Sequence, residues 1–282
     1  MIPAAFDYAR PATVADAVAA LAAGGEGAKV LAGGHSLLPV LRLRLAAPTL
    51  LVDLGDVAEM RGIRVDGDHL VLGAMTTHAE VAASPLVMQD APLLAQAATT
   101  VGDRQVRHRG TLGGSLSHAD PAGDLPTVAV ALDAELVVAG PAGQRIVPAR
   151  EFFVDYFTTS LQPDEVLAEV RVPRMAGWGT HYTKVSRTAQ AWATAAVAAA
   201  VRRENGAIAQ ARVALTNMGP TPVRAVAVEQ ALAGADADGI ARAAARAAEG
   251  TSPPSDATAS ADYRRHLATV LTRRALTAAA GM

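Results

Sequence analysis

Two glycine doublets stand about eighty residues apart in this chain. Gly33-Gly34 lies in Lys29-Val30-Leu31-Ala32-Gly33-Gly34-His35-Ser36-Leu37, and Gly113-Gly114 lies in Gly110-Thr111-Leu112-Gly113-Gly114-Ser115. Paired glycines let the backbone take positive φ and approach a ligand with no Cβ in the way. Successive N–H groups at such turns make a seat for phosphate or pyrophosphate. Thr111, Ser115 and Ser117 add hydroxyls near the second doublet, and Asp124 adds a carboxylate. A carboxylate accepts hydrogen bonds from sugar hydroxyls and repels phosphate, so the set divides its labour as a dinucleotide with a sugar-alcohol linker requires. The chain has neither Gly-x-Gly-x-x-Gly nor Gly-x-x-x-x-Gly-Lys-Ser/Thr, so neither a Rossmann nor a P-loop site is indicated.

Each of these residues also has a plainer reading. Asp124 can cap a helix predicted from Pro126 to Leu132. His35 and His118 read as hydrogen-bonded loop residues, and Lys184 as a solvated lysine on a strand. Trp192 fits an aromatic where two domains meet. Arg104, Arg107 and Arg109, just before the second doublet, read as a solvated face, or else as a contact with a partner subunit or an adenine phosphate.

Composition narrows the chemistry. With no cysteine, the chain cannot supply a thiolate nucleophile, a disulfide or Cys-ligated zinc or iron–sulfur. Its seven histidines are scattered without metal-ligand spacing, so no metal site is expected. A net charge of −2 gives no reason to expect nucleic acid. The opening residues lack a charged and apolar leader, and no apolar run is long enough to span a bilayer, so a cytoplasmic protein is expected.

The elements that must position these residues follow from the apolar pattern. At 282 residues, 51% of them apolar, two domains are expected. Thr13 caps a predicted helix over Val14–Leu21 that Gly24-Gly25 stops. Strands at Val30-Leu31 and Leu50–Asp53 flank a helix with an apolar face of Leu37, Leu38, Leu41 and Leu45, a β-α-β unit. Hairpins follow at Ile63–Gly73 and Glu135–Val147, with helices at His78–Ala83 and Pro92–Thr99 and a strand over Glu165–Val172. A boundary is expected at Met175–Gly179. Beyond it come three strands (Thr180–Val185, Ala193–Val201, Ile208–Thr216) and three helices (Arg224–Leu232, Gly239–Glu249, Ala261–Ala280), so an α/β part precedes an α+β part.

Ala32-Gly33-Gly34-His35-Ser36-Leu37-Leu38-Pro39, Gly73-Ala74-Met75-Thr76-Thr77, and Thr111-Leu112-Gly113-Gly114-Ser115 with Asp120-Pro121 and Asp124 carry a family resemblance. The chain resembles the FAD-binding medium subunits of molybdenum hydroxylases, and among them most resembles those of aerobic carbon monoxide dehydrogenases. The likeness runs from Ile2-Pro3 to Arg273-Arg274-Ala275.

The resemblance implies an α+β chain. An FAD-binding domain of the vanillyl-alcohol-oxidase (PCMH) type would occupy 1–177, built of two α/β subdomains at about 1–55 and 56–177. A C-terminal domain over 178–282 would hold a three-stranded antiparallel sheet and a three-helix bundle. By the family pattern, Lys29, Leu31 and the run Ala32, Gly33, Gly34, His35, Ser36 and Leu37 line the cofactor and wrap its pyrophosphate. Gly102, Gly110, Thr111, Gly113, Gly114 and Ser115 form the second cradle. Asp124 would hold sugar hydroxyls, Leu161 a ring edge, and Lys184 would reach the cofactor; Trp192 stands where an aromatic covers one flavin face. Ser115 replaces the family's usual Asn, one contact fewer.

The resemblance further implies a subunit of a heterotrimer that pairs into a dimer of heterotrimers. A large molybdopterin subunit would oxidise the substrate, and a small two-iron two-sulfur subunit would relay electrons to FAD here. The acceptor would be a quinone or similar carrier, reached at the inner face of the membrane. The alternatives are a subunit for another substrate, a stand-alone FAD oxidoreductase, and a scaffold that has lost its cofactor.

Overall fold

The structure is a computed structural model that describes residues 2–282, Ala237 by its backbone alone; Met1, where the stretch read for a leader begins, lies outside them. Three parallel strands open the chain: β1 (Asp7–Ala9), β2 (Ala28–Leu31) and β3 (Leu50–Asp53), in the order β1-β3-β2. The predicted helix between β1 and β2 forms over Val14–Gly24; the Thr13 hydroxyl accepts from the Asp16 N–H, and Gly25 ends it at φ +55°. The expected β-α-β unit is present, with β1 as an unforeseen third strand. Because all three strands run the same way, their carboxyl ends share one edge, and Ala32, Asp53 and Arg10 emerge there. Open parallel sheets bind ligands at that edge.

The helix after β2 is shorter than its leucines imply. It covers only Leu37–Arg42 and buries Leu41, whereas Leu38 and Leu45 are exposed. The turn beyond it, with Arg44 at φ +56°, carries Leu45 off the predicted face.

A five-stranded antiparallel sheet follows, with order β4-β5-β10-β6-β7. Its strands are β4 (Ile63–Asp66), β5 (His69–Gly73), β6 (Glu135–Gly140) and β7 (Gly143–Pro148), then, after a small hairpin of β8 (Phe153–Asp155) and β9 (Thr158–Thr159), β10 (Val166–Pro173). Leu70, Leu72, Leu136, Val138, Val170 and Val172 are fully buried in its core. Six helices lie between β5 and β6, among them Arg104–Arg109 and Leu112–His118, neither of which the glycine-rich sequence there signals.

The last sheet is β11 (Trp178–Val185), β12 (Ala195–Glu204), β13 (Ala207–Thr216) and β14 (Val223–Arg224), antiparallel in chain order. Three strands were expected; the short β14 is a fourth, paired through Leu215 and Ala214. In β12 the side chains alternate faces, as strand geometry requires. Ala196, Ala198 and Ala200 join the core of the preceding part, and Ala195, Val197, Ala199 and Val201 the core beneath the C-terminal helices. Alanine lets both layers approach closely. On one side lies the wholly buried helix Asp124–Ala131, tied to β13 by a 2.8 Å hydrogen bond between the Thr127 and Thr216 hydroxyls. On the other, the helix Ala261–Ala279 buries Leu267, Leu271, Ala275 and Ala279 at four-residue spacing. With Val226–Leu232 and Ala237–Ala244 it makes the expected three-helix group.

Candidate cofactor-binding site

The two glycine doublets come together. A Cβ placed on Gly33 would sit 2.7 Å from the Cα of Gly110 and overlap the Arg109 carbonyl oxygen, so the first loop lies directly against the backbone leading into the second. A Cβ on Gly114 would lie 3.5 Å from that of Ala32. Gly34 stands at φ +78°, which the absence of a Cβ makes inexpensive.

The stretch Gly73–His78 holds the second doublet from the opposite side. The Gly113 N–H donates to the Ala74 carbonyl at 2.8 Å, Leu112 to Thr76 at 2.9 Å, and His78 to Gly110 at 2.9 Å. Thr77 and Thr111 form an isolated antiparallel bridge. A cleft of about 310 Å³ opens where these segments meet, lined by Ala32, Met75, Thr77 and Thr111, with Arg10, Asp53, Arg61 and Arg109 around them.

The second doublet is not a loop. Gly113 and Gly114 lie in the first turn of the helix Leu112–His118, capped by the Thr111 hydroxyl, which accepts from the Gly114 N–H at 3.1 Å. Glycine is a poor helix former, and its presence there is explained by contact: a Cβ on Gly113 would meet Ala74 at 2.5 Å. Gly110 ends the preceding helix against the His78 ring, and Gly102 turns the chain at φ +46° against Val106.

Asp124 and Lys184 form a second centre. Asp124 is the first residue of the helix Asp124–Ala131, which starts two residues earlier than predicted, and Gly123 occupies the cap position, so the capping reading does not hold. Instead its Oδ2 accepts from Lys184 Nζ at 2.8 Å and its Oδ1 from the Tyr182 hydroxyl at 2.6 Å. The Asp124 and Lys184 side chains are only 3% and 10% exposed, so Lys184 is not the solvated lysine of the plainer reading. Burial pushes the Asp124 carboxyl up and the Lys184 ammonium beside it pulls it back. Burial and the same carboxylate raise the Tyr182 phenol well above its usual range, so it stays a donor. Lys184 also donates to the Thr100 carbonyl at 3.3 Å. An ammonium has three N–H groups, and two are thus engaged.

The other named residues are placed less centrally. Lys29 and His35 are exposed; Leu31, Ser36, Leu37 and Ser115 are half-buried around the first and second loops. Leu161 packs on the main core, and Trp192 is 54% exposed on the segment between β11 and β12. Arg107 is committed to the Val101 and Gly102 carbonyls, not to a free face. Tyr182 escaped the sequence reading, although it stands two residues before Lys184 and so on the same strand face.

Two family models match. The FAD binding domain in molybdopterin dehydrogenase covers residues 4–175, and the CO dehydrogenase flavoprotein C-terminal domain covers residues 180–279. The carbon monoxide dehydrogenase medium chain of Hydrogenophaga pseudoflava is 42% identical over 282 residues, 99% of this chain and 98% of its own length. This chain belongs to the FAD-binding medium subunits of the molybdenum hydroxylases.

Solved structures agree. Carbon monoxide dehydrogenase from Oligotropha carboxidovorans superposes at a TM-score of 0.97 with 39% identity, covering 100% of this chain and 99% of its own. Quinoline 2-oxidoreductase from Pseudomonas putida 86 gives 0.95 with 35% identity, covering 100% and 99%. As a family member the chain is an FAD-binding subunit of an oxidoreductase, and its residues fit the cofactor. The loop at Gly33 and the helix start at Gly113 pack where neither glycine leaves room for a Cβ, and a polar cleft opens beside them. Among the described residues no helix is long and apolar enough to cross a membrane.

Proposed function

We propose that this chain is the flavin-carrying medium subunit of a carbon monoxide dehydrogenase. In it, a large molybdopterin subunit oxidises the substrate and a small two-iron two-sulfur subunit passes electrons onward. The packing of the Gly33-Gly34 loop against the backbone that leads into Gly113-Gly114, beside one polar cleft, is the observation that carries the cofactor assignment. Full-length identity of 42% to a carbon monoxide dehydrogenase medium chain supports the choice of substrate for the whole complex.

In this reading the backbone from Ala32 to Ser36 and from Thr111 to Ser115 holds the pyrophosphate, and Gly102 and Gly110 shape the turns that bring those segments together. Lys184, anchored by Asp124, presents its remaining N–H to the cofactor, and Leu161 and Trp192 flank it as apolar cover. Lys29, Leu31, His35 and Leu37 line the first loop. FAD supplies the two-electron, one-electron exchange chemistry, and the protein supplies binding, orientation and electrostatics. An external acceptor, a quinone or similar carrier at the inner face of the membrane, takes the electrons, and two trimers pair.

Co-expression with a large molybdopterin subunit and a small two-iron two-sulfur subunit of a carbon monoxide dehydrogenase tests this. The purified chain alone is expected to bind FAD and to oxidise no carbon monoxide, and the reconstituted complex to do so. Oxidation by the lone chain would overturn the subunit assignment.

A further inference from the structure

The carboxylate of Asp124 belongs to the first part of the molecule, yet both groups that hold it come from β11 of the last sheet. Tyr182 and Lys184 stand two apart on that strand, facing the same way, and each takes one oxygen. Tyr182 is anchored in turn. Its N–H donates to the Gln96 side-chain oxygen at 3.1 Å, and its side chain is buried. Gln96 reaches back across the same joint to Thr180 at 3.2 Å.

This arrangement gives Tyr182 a task that packing alone does not explain. An ionised carboxylate that is 3% exposed needs a donor on each oxygen. Lys184 satisfies only Oδ2. Without the phenol, Oδ1 has no donor, and the carboxylate either turns to take both contacts from Lys184 or accepts a proton. Both outcomes move the Lys184 ammonium or change the charge beside it.

We propose that Tyr182 is a positioning residue of the FAD site, fixing the Asp124 carboxylate so that Lys184 keeps one N–H free for the cofactor. The inference rests on the proposed placement of Asp124 and Lys184 at that site. It makes cofactor affinity depend on the docking of β11 against the helix Asp124–Ala131.

The titratable groups facing Asp124 are Lys184 and Tyr182 from β11 and Asp120 from the preceding loop. Lys184 and Tyr182 favour the ionised carboxylate, and Asp120 and burial oppose it. Removing the phenol tips that balance toward the protonated acid, so the defect must deepen as pH falls.

The test uses full-length chain stripped of FAD, titrated with FAD by flavin fluorescence quenching from about neutral pH down into the mildly acidic range. Tyr182→Phe, Asp124→Asn and the double variant are compared, with apo-chain melting as the folding control. Expected are about 10-fold weaker binding for Asp124→Asn and about 5-fold for Tyr182→Phe, with the double variant no weaker than Asp124→Asn within about 2-fold. The Tyr182→Phe loss should grow toward low pH and vanish in the Asp124→Asn background. Additive losses, or a pH-independent one, would overturn the inference. Wild-type affinity in Tyr182→Phe alongside weak binding in Asp124→Asn would overturn it too, while leaving the site reading intact. Wild-type affinity in Asp124→Asn would instead bring down the site reading and the inference with it. If Tyr182→Phe does not accumulate, Gln96→Ala, which removes the side chain that anchors the Tyr182 N–H, is judged by the same outcomes.

Discussion

Gly33 and Gly110 are packed so closely that the Cα of Gly110 lies 2.7 Å from where a Cβ of Gly33 would stand. The residues are far apart in sequence and belong to different sheets' connections, so their contact is what brings the two glycine-rich segments together. Alanine at position 33 has no room unless the Arg109-Gly110 backbone withdraws. Gly33→Ala is expected to cost about 1–3 kcal/mol of stability by overpacking and to empty the site of FAD. The flavin absorbance per chain and a urea melt of the purified variant check both effects.

Gly34 offers a milder case. Its Cβ would meet the side chains of Leu38, at 3.0 Å, and Leu31, at 3.4 Å, but φ +78° disfavours any branched residue. Gly34→Val should cost about 1–2 kcal/mol of backbone strain and crowd the approach to phosphate. FAD should be lost while the circular dichroism of the fold stays. Full flavin occupancy in the variant would refute the cradle.

Asp124→Ala strikes two things at once. Lys184 would be left buried without its counter-ion, a loss of about 3–5 kcal/mol for a pair this well covered. FAD binding should weaken by about 1–3 kcal/mol as well. Chemical denaturation of the apo chain measures the first, and titration with FAD the second.

His78 makes stability depend on acid. Burial, helped by the nearby His35 and Arg107, pushes its pKa down from 6.5 to about 4, and its Nδ1 has no hydrogen-bond partner. Between those values the unfolded chain takes up a proton that the folded chain refuses. Its contribution to stability is therefore full above pH 6.5 and falls as pH drops toward 4, by up to about 3 kcal/mol. Melting temperatures of wild type and His78→Gln across that window should converge toward pH 4 if the variant starts less stable, because only the wild type loses this increment.

Much of the scaffold was legible because it rests on local rules. The Thr13 cap, the β2-to-β3 crossover, the Ile63–Gly73 hairpin and the strands of the last sheet follow from short-range pattern and turn chemistry. Where neighbours compete, the reading slipped. Leu45 looked like the continuation of a helical face and is exposed beyond the turn at Arg44. Gly113-Gly114 read as a turn and lies in the first turn of a helix, because glycine's low helix propensity is outweighed by the Thr111 cap and the close contact with Ala74.

By itself the amino-acid sequence determined the two glycine doublets, the acid and lysine of the site, the alternation of strand and helix, and, through the full-length likeness, the family. These are properties of residue type and spacing, which survive without coordinates. Only the tertiary structure decided that Gly33 rests on Gly110, that Asp124 caps nothing and is held by Tyr182 and Lys184, and that Arg107 is spent on backbone carbonyls. Those contacts join segments many residues apart. Which partner a buried carboxylate takes depends on what the folded chain brings within about 3 Å of it, and no local rule carries that distance.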